Sequence, residues 1–355
     1  MNTNKGRAHR GAGLCVACAA GLGAVLAGCA GVRTSATGRQ GADFARPVAT
    51  YSIVARDGVT GEMGVAVQSH WFSVGPVVPW AEAGAGAVAT QSLVRIDYGP
   101  RGLALMREGN EASAALRELI EADQGRDVRQ VAFVDAHGRV AVHTGAKCIA
   151  EAGHKPGVAP DGAAYSAQAN LMRDKGVPEA MGSAFESAPE GTPLPERLVM
   201  ALHAAEKAGG DVRGKQSAAI LVVKGVSTGR AWADRVVELR VEDHAAPVDE
   251  LDRLLRLHRA YERMNAGDEA IEKGDVAGAL REYGAAREMA GGNAEMAFWT
   301  AVSLLNAGKT GEAEPILREA YRDEKGDWRT TLRRLPRSGL LNVSDSEVER
   351  LAALR

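Results

Sequence analysis

The chain has 355 residues, 45% hydrophobic and 25% charged, which is an ordinary globular mixture and enough for two or three domains. The net charge of −2 gives no overall electrostatic reason to expect a nucleic-acid partner. Aromatic residues make up only 5% of the chain, and this disfavours an aromatic groove for carbohydrate. Function therefore has to be sought in individual segments.

The N-terminal segment has the pattern of a bacterial secretion signal. Three basic residues precede a run of small apolar residues from 11 to 28, which is too weakly apolar for a stable membrane span. The run ends in Leu-Ala-Gly-Cys, which resembles the lipobox, where the cysteine is lipidated and becomes the first residue. We therefore predict a lipoprotein signal over 1–28 and lipidation at Cys29. The alternative is a plain signal peptide with an incidental cysteine.

Lipidation of Cys29 implies that the protein is held on a membrane. Ala30 follows the cysteine, and by resemblance to enteric sorting rules the lack of Asp there favours the outer membrane, facing the periplasm. Residues 29–47 are small, polar and aperiodic, which predicts a flexible tether between the lipid and the first domain.

Cysteine and histidine usage gives no indication of a metal site or cofactor. Two of the four cysteines lie in the predicted signal and Cys29 carries the lipid, so only Cys148 remains in the mature chain. A lone cysteine beside Ile149 is more typical of a buried small hydrophobe than of a nucleophile. No histidines pair at metal-ligand spacing, and nucleophile-elbow, zinc-protease and P-loop motifs do not occur.

Residues 48–243 show a mixed pattern in the order strands, helix, strands, helices, strands. Short turns such as DGVTG and AHG join neighbouring strand-like runs, and such hairpins predict largely antiparallel sheets with helices on their faces. The segment GHKPG around His154 predicts a turn, and Gly209-Gly210 predicts the end of a helix. We expect the α+β class rather than a doubly wound nucleotide-binding fold.

Residues 249–324 are helical and contain an internal repeat. The 34-residue spacing is the tetratricopeptide period, and small residues at such positions let paired helices approach closely. The alternative is an unrelated helical bundle. The repeat positions are Gly274 with Gly308 and Ala279 with Ala313.

A tetratricopeptide-like tail implies a protein partner. Residues 249–324 would offer a groove for a helix of that partner, and Asn293 is the predicted N-cap of the helix between the repeats. Residues 325–355 are expected to form a C-terminal helical extension.

Six short motifs in the α+β part occur in an order that resembles one bacterial family. The first, TYSIVARD at 50–57, is similar to the opening strand T-[FY]-S-I-V-A-x-D of that family. The family is the one catalogued as domain of unknown function 1028. The other matching segments are 61–69, 73–80, 84–91, 98–102 and 209–218.

The resemblance implies both a fold and a chemistry. The family is grouped with the N-terminal-nucleophile hydrolases, whose fold is a four-layer αββα sandwich of two antiparallel sheets between helix layers. In that superfamily a Thr, Ser or Cys at a freed N-terminus attacks an amide carbonyl, and its own α-amine is the base. Short relatives begin Met-Thr, and Thr50 occupies the place of that threonine, so it is the candidate nucleophile.

The other candidate site residues follow from the matched motifs. The chemistry needs donors for an oxyanion, and polar side chains at strand ends could supply them. Each candidate residue can also be explained by a purely structural role, such as β-propensity or hydrogen bonds within a turn. Relatives have the sequence Q-G-N at the three residues that end in Asn170, and in this chain Ala169 takes the place of the glycine. The candidates are Ser69, Arg213 and Gln216 for catalysis and Gln91, Asn170 and Ser217 for substrate binding.

The predicted lipid anchor and the predicted nucleophile are in conflict. If the chain begins at Cys29, the nitrogen of Thr50 is an amide and cannot act as a base. Self-cleavage between Ala49 and Thr50 would free the amine and release the domain from its lipid.

Two hypotheses result. The first is a lipid-anchored hydrolase of amides in peptides or cell-wall fragments. The second is a non-catalytic lipoprotein that binds a ligand or peptide and recruits a partner through its helices. Some relatives carry a C-terminal segment suspected of binding peptidoglycan, and the stretch DELDRLLRLHRAY resembles its start, which implies peptidoglycan as a further partner.

Overall fold

The structure is a computed structural model that describes residues 50–355. The predicted signal, the lipidation site Cys29 and the tether lie outside these residues. Ten strands occur in the described part of the chain. They are β1 Thr50–Arg56, β2 Met63–Ser69, β3 Pro79–Glu82, β4 Gly86–Ser92, β5 Arg129–Asp135, β6 Val140–Thr144, β7 Gly153–Val158, β8 Ala164–Ala169, β9 Ser217–Val223 and β10 Arg235–Val241.

The strands form two antiparallel sheets. One has six strands in the order β10-β9-β2-β1-β8-β7, and the other has four in the order β3-β4-β5-β6. Valines and alanines from one face of each sheet form a shared apolar core, to which Val54 and Val65 contribute from the larger sheet and Ala89 and Val134 from the smaller. These side chains occupy alternate positions along their strands, as burial of one sheet face requires.

Helices cover the other face of each sheet. Helices α1 and α2 pack on the four-stranded sheet around Phe133, while α3, α4 and the start of α6 pack on the six-stranded sheet around Ile53. The helices of residues 50–355 are α1 Tyr98–Arg107, α2 Ala112–Glu121, α3 Val177–Glu186, α4 Leu194–Lys207, α5 Ala231–Asp234, α6 Pro247–Glu272, α7 Val276–Met289, α8 Ala294–Asn306, α9 Thr310–Ala320, α10 Trp328–Arg334 and α11 Asp345–Ala352.

Helix α6 is 26 residues long and belongs to two hydrophobic cores. Leu251 and Leu255 in its first half are buried in the core of the six-stranded sheet. Met264 in its second half packs against Tyr283 of α7, in a core of the C-terminal helices. The helix therefore joins the sheet region to the helical tail through a continuous backbone.

The C-terminal helices pack in pairs, α6 with α7 and α8 with α9. A short turn that contains a glycine joins the two helices of each pair. Gly274 and Gly308 both have positive φ, 75° and 72°, and each follows a helix, where a left-handed residue is favourable because glycine has no Cβ. Ala279 and Ala313 are both fully buried near the start of the next helix. The 34-residue spacing thus corresponds to a repeated local structure.

The mixed α+β class with largely antiparallel sheets and a helix-rich C-terminal part is confirmed. The side chain of Asn293 accepts hydrogen bonds from the N–H groups of Glu295 and Met296, so its predicted role as an N-cap is also confirmed. Within residues 50–355, no helix combines the length and the apolar character that crossing a membrane would need.

The prediction of a turn at GHKPG was wrong, because these residues form strand β7. The strand lies at an edge of the six-stranded sheet. Pro156 lacks an N–H, and an edge strand tolerates it because one of its sides needs no ladder hydrogen bonds.

We predict that Leu251→Ala lowers the free energy of unfolding by about 2–5 kcal/mol, because it leaves a cavity between α6 and the six-stranded sheet. Urea unfolding followed by circular dichroism measures this loss. Leu340→Ala is the matched control, since Leu340 is 51% exposed and its truncation should change stability by less than about 0.5 kcal/mol. Equal effects of the two substitutions would contradict the placement of α6 in this core.

Candidate active site

Four polar residues form a row across one end of the six-stranded sheet. Thr50 begins β1 and lies opposite Ser69 at the end of β2, and Ser69 lies opposite Ser217 at the start of β9. On the other side of Thr50, the N–H of Asn170 donates to the Thr50 carbonyl at 3.1 Å. The sheet register thus brings together four predicted site residues that are far apart in sequence.

The hydroxyl groups in this row are buried and hydrogen-bonded. Thr50 Oγ1 donates to Ser69 Oγ at 3.2 Å, and both residues are fully buried. Ser217 Oγ donates to the carbonyl of Trp71 at 2.5 Å and accepts from the N–H of Val74 at 3.1 Å. Ser217 therefore fixes the segment after β2, whereas Ser69 contacts the candidate nucleophile directly.

Gln91 joins the row to the other sheet. It lies on β4, and its Oε1 accepts a 2.6 Å hydrogen bond from Ser52 Oγ. Its Nε2 donates to the carbonyl of Thr50 at 3.2 Å and to Gln130 Oε1 at 2.7 Å. Gln91 therefore binds the backbone of the residue predicted to be the nucleophile.

Gln130 on β5 makes further hydrogen bonds between the sheets. Its Oε1 accepts from Asn170 Nδ2 at 3.0 Å, and its Nε2 donates to the carbonyl of Ala169 at 3.0 Å. The same Nε2 also lies 2.9 Å from Thr144 Oγ1 and 3.0 Å from the carbonyl of Gly153. The amide groups of Gln91 and Gln130 therefore form a continuous hydrogen-bond network between the ends of β4, β5 and β8.

Arg213 and Gln216 lie in the loop between α4 and β9. The Arg213 guanidinium binds the fully buried carboxylate of Asp211, with Nη2 2.7 Å from Oδ2. Gly214 in this loop is next to His70, because a Cβ at Gly214 would lie 3.8 Å from His70 Nδ1. The loop thus runs beside the end of β2. The half-buried Gln216 contributes its carbonyl to a 2.8 Å hydrogen bond from the N–H of His244.

Backbone conformations that are unusual for residues with a Cβ occur at this end of the sheets. Ser92 follows Gln91, Leu171 follows Asn170, and Ser73 lies in the segment after β2, with φ values of 73°, 59° and 56°. Such left-handed conformations are costly for residues other than glycine and concentrate at functional sites. Their clustering supports a functional site at this edge.

Buried polar atoms without a partner among the described residues also lie here. They include both amide atoms of Gln68, Nδ1 of His70 and Oδ1 of Asn170. Asn170 is adjacent to Thr50 across the sheet and its side chain lies on the same face. Gln68 lies opposite Tyr51, so its side chain is on the helix-covered face of the sheet, and His70 follows Ser69 in sequence. Because an unsatisfied buried polar group costs about 1–3 kcal/mol, such groups indicate a place where water or a ligand binds.

The side chain of Tyr51 lies on the helix-covered face of the sheet and makes a polar contact there. Its hydroxyl donates to Glu206 Oε1 at 3.3 Å, and Lys215 Nζ lies 2.6 Å from Glu206 Oε2. Burial, together with the nearby Glu206 carboxylate, raises the pKa of Tyr51 well above its ordinary value. Tyr51 is therefore a neutral hydrogen-bond donor at physiological pH.

Cys148 does not have the environment of a reactive thiol. Its Sγ donates to the carbonyl of Arg129 at 3.3 Å, and burial raises the pKa of the thiol. In residues 50–355 no group of three or more His, Cys, Asp and Glu side chains is arranged to hold a metal ion.

Sequence reasoning did not identify the buried glutamines Gln68, Gln130 and Gln168. Gln168 Nε2 donates to Ser52 Oγ at 2.7 Å, and its Oε1 accepts from Ser166 Oγ at 3.0 Å. Each of the three lies within a strand in which most of the other residues are apolar or small. A buried side-chain amide requires hydrogen-bond partners. A glutamine in such a strand is therefore the sequence feature that could have identified these three residues.

The fold and the site define a mixed α+β protein with two antiparallel sheets and a buried polar row where their strands end. Residues 50–251 match the family of unknown function DUF1028, and the chain belongs to that family. It is similar to the crystal structure of protein SPO2555 from Silicibacter pomeroyi, a DUF1028 protein. That similarity has 31% sequence identity and a TM-score of 0.51, and covers 59% of this chain and 88% of the other. No curated protein matches the chain significantly.

We predict that Gln130→Leu lowers the free energy of unfolding by about 3 kcal/mol, because it leaves the buried Asn170 amide and two carbonyls without their partner. Chemical denaturation measures the effect. The control is Gln124→Leu, which changes an exposed glutamine near the start of β5 and should cost less than about 0.5 kcal/mol. A Gln130→Leu protein as stable as this control would show that the inter-sheet network contributes little.

Proposed function

We propose that this protein is an amide hydrolase of the N-terminal-nucleophile type, with Thr50 as its nucleophile. The observation that supports this most strongly is the position of Thr50. It is the first residue of a central strand, its hydroxyl is held by Ser69, and its carbonyl is held by Gln91 and Asn170. The helices on the outer faces of the two sheets are consistent with the αββα sandwich of that superfamily.

The proposed reaction uses the α-amine of a freed Thr50 as the base. The amine takes the proton from Oγ1, and Oγ1 attacks the carbonyl carbon of the substrate amide. Donors at the strand ends stabilise the resulting oxyanion, and Asn170 Nδ2 is the side-chain candidate. The leaving nitrogen receives the proton and departs, and water then hydrolyses the threonine ester.

Activation requires a cut before Thr50. With residue 49 attached, the nitrogen of Thr50 is an amide, and Thr50 is fully buried, so no substrate reaches its hydroxyl. Attack of Oγ1 on the carbonyl of Ala49 would convert the peptide bond to an ester and release the α-amine. Hydrolysis of that ester by water would leave Thr50 as the first residue. We propose this self-cleavage as the activating step.

We further propose that the chain is a lipoprotein anchored through Cys29, more specifically on the outer membrane and facing the periplasm. Self-cleavage would then release the active domain from its lipid. The C-terminal helices would form a short tetratricopeptide-like array that recruits a protein partner. The matching turns at Gly274 and Gly308 and the matching buried alanines at Ala279 and Ala313 support the array. Peptide or cell-wall amides are the proposed substrates, with peptidoglycan as a further partner.

We predict that protein produced in a bacterial envelope contains a soluble form whose mass corresponds to a chain that begins at Thr50. Thr50→Ala should abolish this form, since it removes the attacking hydroxyl, while Thr50→Ser should retain it. Mass spectrometry of separated membrane and soluble fractions measures the products. Thr60→Ala is the matched control, because Thr60 is an exposed threonine in the β1–β2 turn.

If the only species found carries a lipid on Cys29, the nucleophile mechanism is excluded. The unpartnered Oδ1 of Asn170 beside Thr50 would then favour a non-catalytic lipoprotein that binds a small ligand or peptide. A soluble form that persists in Thr50→Ala would show that another protease makes the cut, and self-cleavage would be wrong.

A further inference from the structure

A chain of hydrogen bonds with a fixed direction runs between the two sheets and ends at His154. Backbone carbonyls fix the direction, because a carbonyl oxygen only accepts. Gln91 Nε2 donates to the carbonyl of Thr50, and Gln130 Nε2 donates to the carbonyl of Ala169. The side-chain oxygens of both glutamines are therefore oriented as acceptors for the other groups of the chain.

Donors and acceptors alternate in the same order along the whole chain. The Ser52 hydroxyl donates to Gln91 Oε1 at 2.6 Å. Gln91 Nε2 donates in turn to Gln130 Oε1 at 2.7 Å, and Gln130 Nε2 donates to Thr144 Oγ1 at 2.9 Å. Thr144 Oγ1 lies 2.9 Å from His154 Nδ1. Because the Thr144 oxygen already accepts from Gln130, its own proton is available for the ring nitrogen.

The ring nitrogen Nδ1 of His154 is the final acceptor of the chain. Within residues 50–355, the Thr144 hydroxyl contacts Gln130 and His154 and no further hydrogen-bonding group. A neutral imidazole with its proton on Nε2 accepts at Nδ1, whereas a protonated imidazole donates there. Protonation of His154 would therefore present two donors to the Thr144 oxygen and leave the hydroxyl proton without an acceptor.

The position of His154 allows the pH of the solvent to act on the chain. His154 is exposed on β7, an edge strand that faces β6 of the other sheet. Partial desolvation of the ring, and next a charge on His143 of β6, lowers the pKa of His154. Helix α3 also packs on β7, but its Glu179 pairs there with Lys155 at 3.1 Å. The neutral ring is therefore favoured in the folded protein, and this preference is lost as the pH falls.

We propose that His154 is a positioning residue for Thr50. While the ring is neutral, every donor of the chain has an acceptor, and the amide of Gln91, itself bound to Gln130, holds the Thr50 carbonyl. A protonated ring removes the last acceptor, so the hydroxyl and the amides have to rearrange and the hold on Thr50 weakens. The effect on cleavage rests on the proposed function, whereas the effect on the amides does not.

The test is a pH titration of the full chain followed by NMR. We expect the side-chain amide signals of Gln91 and Gln130 to shift with the same midpoint as the imidazole signals of His154. Thr144→Val should abolish this coupling and raise the His154 midpoint, because it removes the hydrogen bond that favours the neutral ring. Thr144→Ser keeps the hydroxyl and should keep the coupling.

His137→Gln is the matched control. His137 is an exposed histidine in the β5–β6 turn, so its loss should leave the titration of the Gln91 and Gln130 amides unchanged. Amide signals that stay fixed while His154 titrates overturn the proposal, and the parent alone gives this result even if Thr144→Val does not fold. Amide signals that still follow the His154 midpoint in Thr144→Val also overturn it.

The rate of cleavage before Thr50 tests the consequence for the reaction. In the parent, this rate should fall as the pH drops through the His154 midpoint. His154→Gln should remove that fall, because the side-chain oxygen of glutamine accepts a hydrogen bond but does not titrate. A fall that His154→Gln retains overturns the role of His154 in positioning Thr50. A chain that is never cleaved contradicts the proposed function instead, and the amide titration then decides the proposal.

Discussion

The hydrogen bonds of Gln91 and Gln130 between the two sheets are the constraint on which the candidate site depends. Both side chains are fully buried, so their amide groups have to find partners inside the protein. They find them at the ends of β1 and β8, on the facing sheet, which fixes how the sheets meet there. Loss of either amide would leave several buried groups without partners, so the position of Thr50 is strongly determined.

The hydrogen bonds of this network satisfy the Thr50 carbonyl, but one buried polar atom close to it has no hydrogen-bond partner. Gln91 and the N–H of Asn170 both satisfy that carbonyl, whereas Oδ1 of Asn170 has no partner within the described part of the chain. A buried network that served only stability would gain by satisfying every group. Oδ1 of Asn170 is therefore able to accept a hydrogen bond from water or from a ligand.

The opposite ends of the six-stranded sheet have different chemistry. Hydroxyls and amides lie at the Thr50 end, and exposed apolar residues lie at the hairpin tips. Antiparallel pairing produces this separation, because consecutive hairpins place all their turns at one end and all their chain entries and exits at the other.

Much of the fold could be predicted from the sequence, because hydrophobic alternation and glycine turns act locally. The hairpins around Gly61 and Gly138 and the cap at Asn293 are of this kind. Strand β7 was missed because a proline and two glycines suggest a turn unless the strand is known to lie at an edge. The role of Gln130 was missed because its partners belong to the other sheet. The pairing of Arg213 with Asp211, two residues away, likewise needs the shape of a loop that composition does not specify.

The most direct test of Thr50 as the nucleophile is covalent labelling with a β-lactone, followed by mapping of the adduct by mass spectrometry. The account predicts an ester on Oγ1 of Thr50 in the form that begins at Thr50, and no label on Thr50 in the uncleaved chain. Reaction of the shortened form at another residue such as Cys148, with Thr50 unmodified, would contradict it.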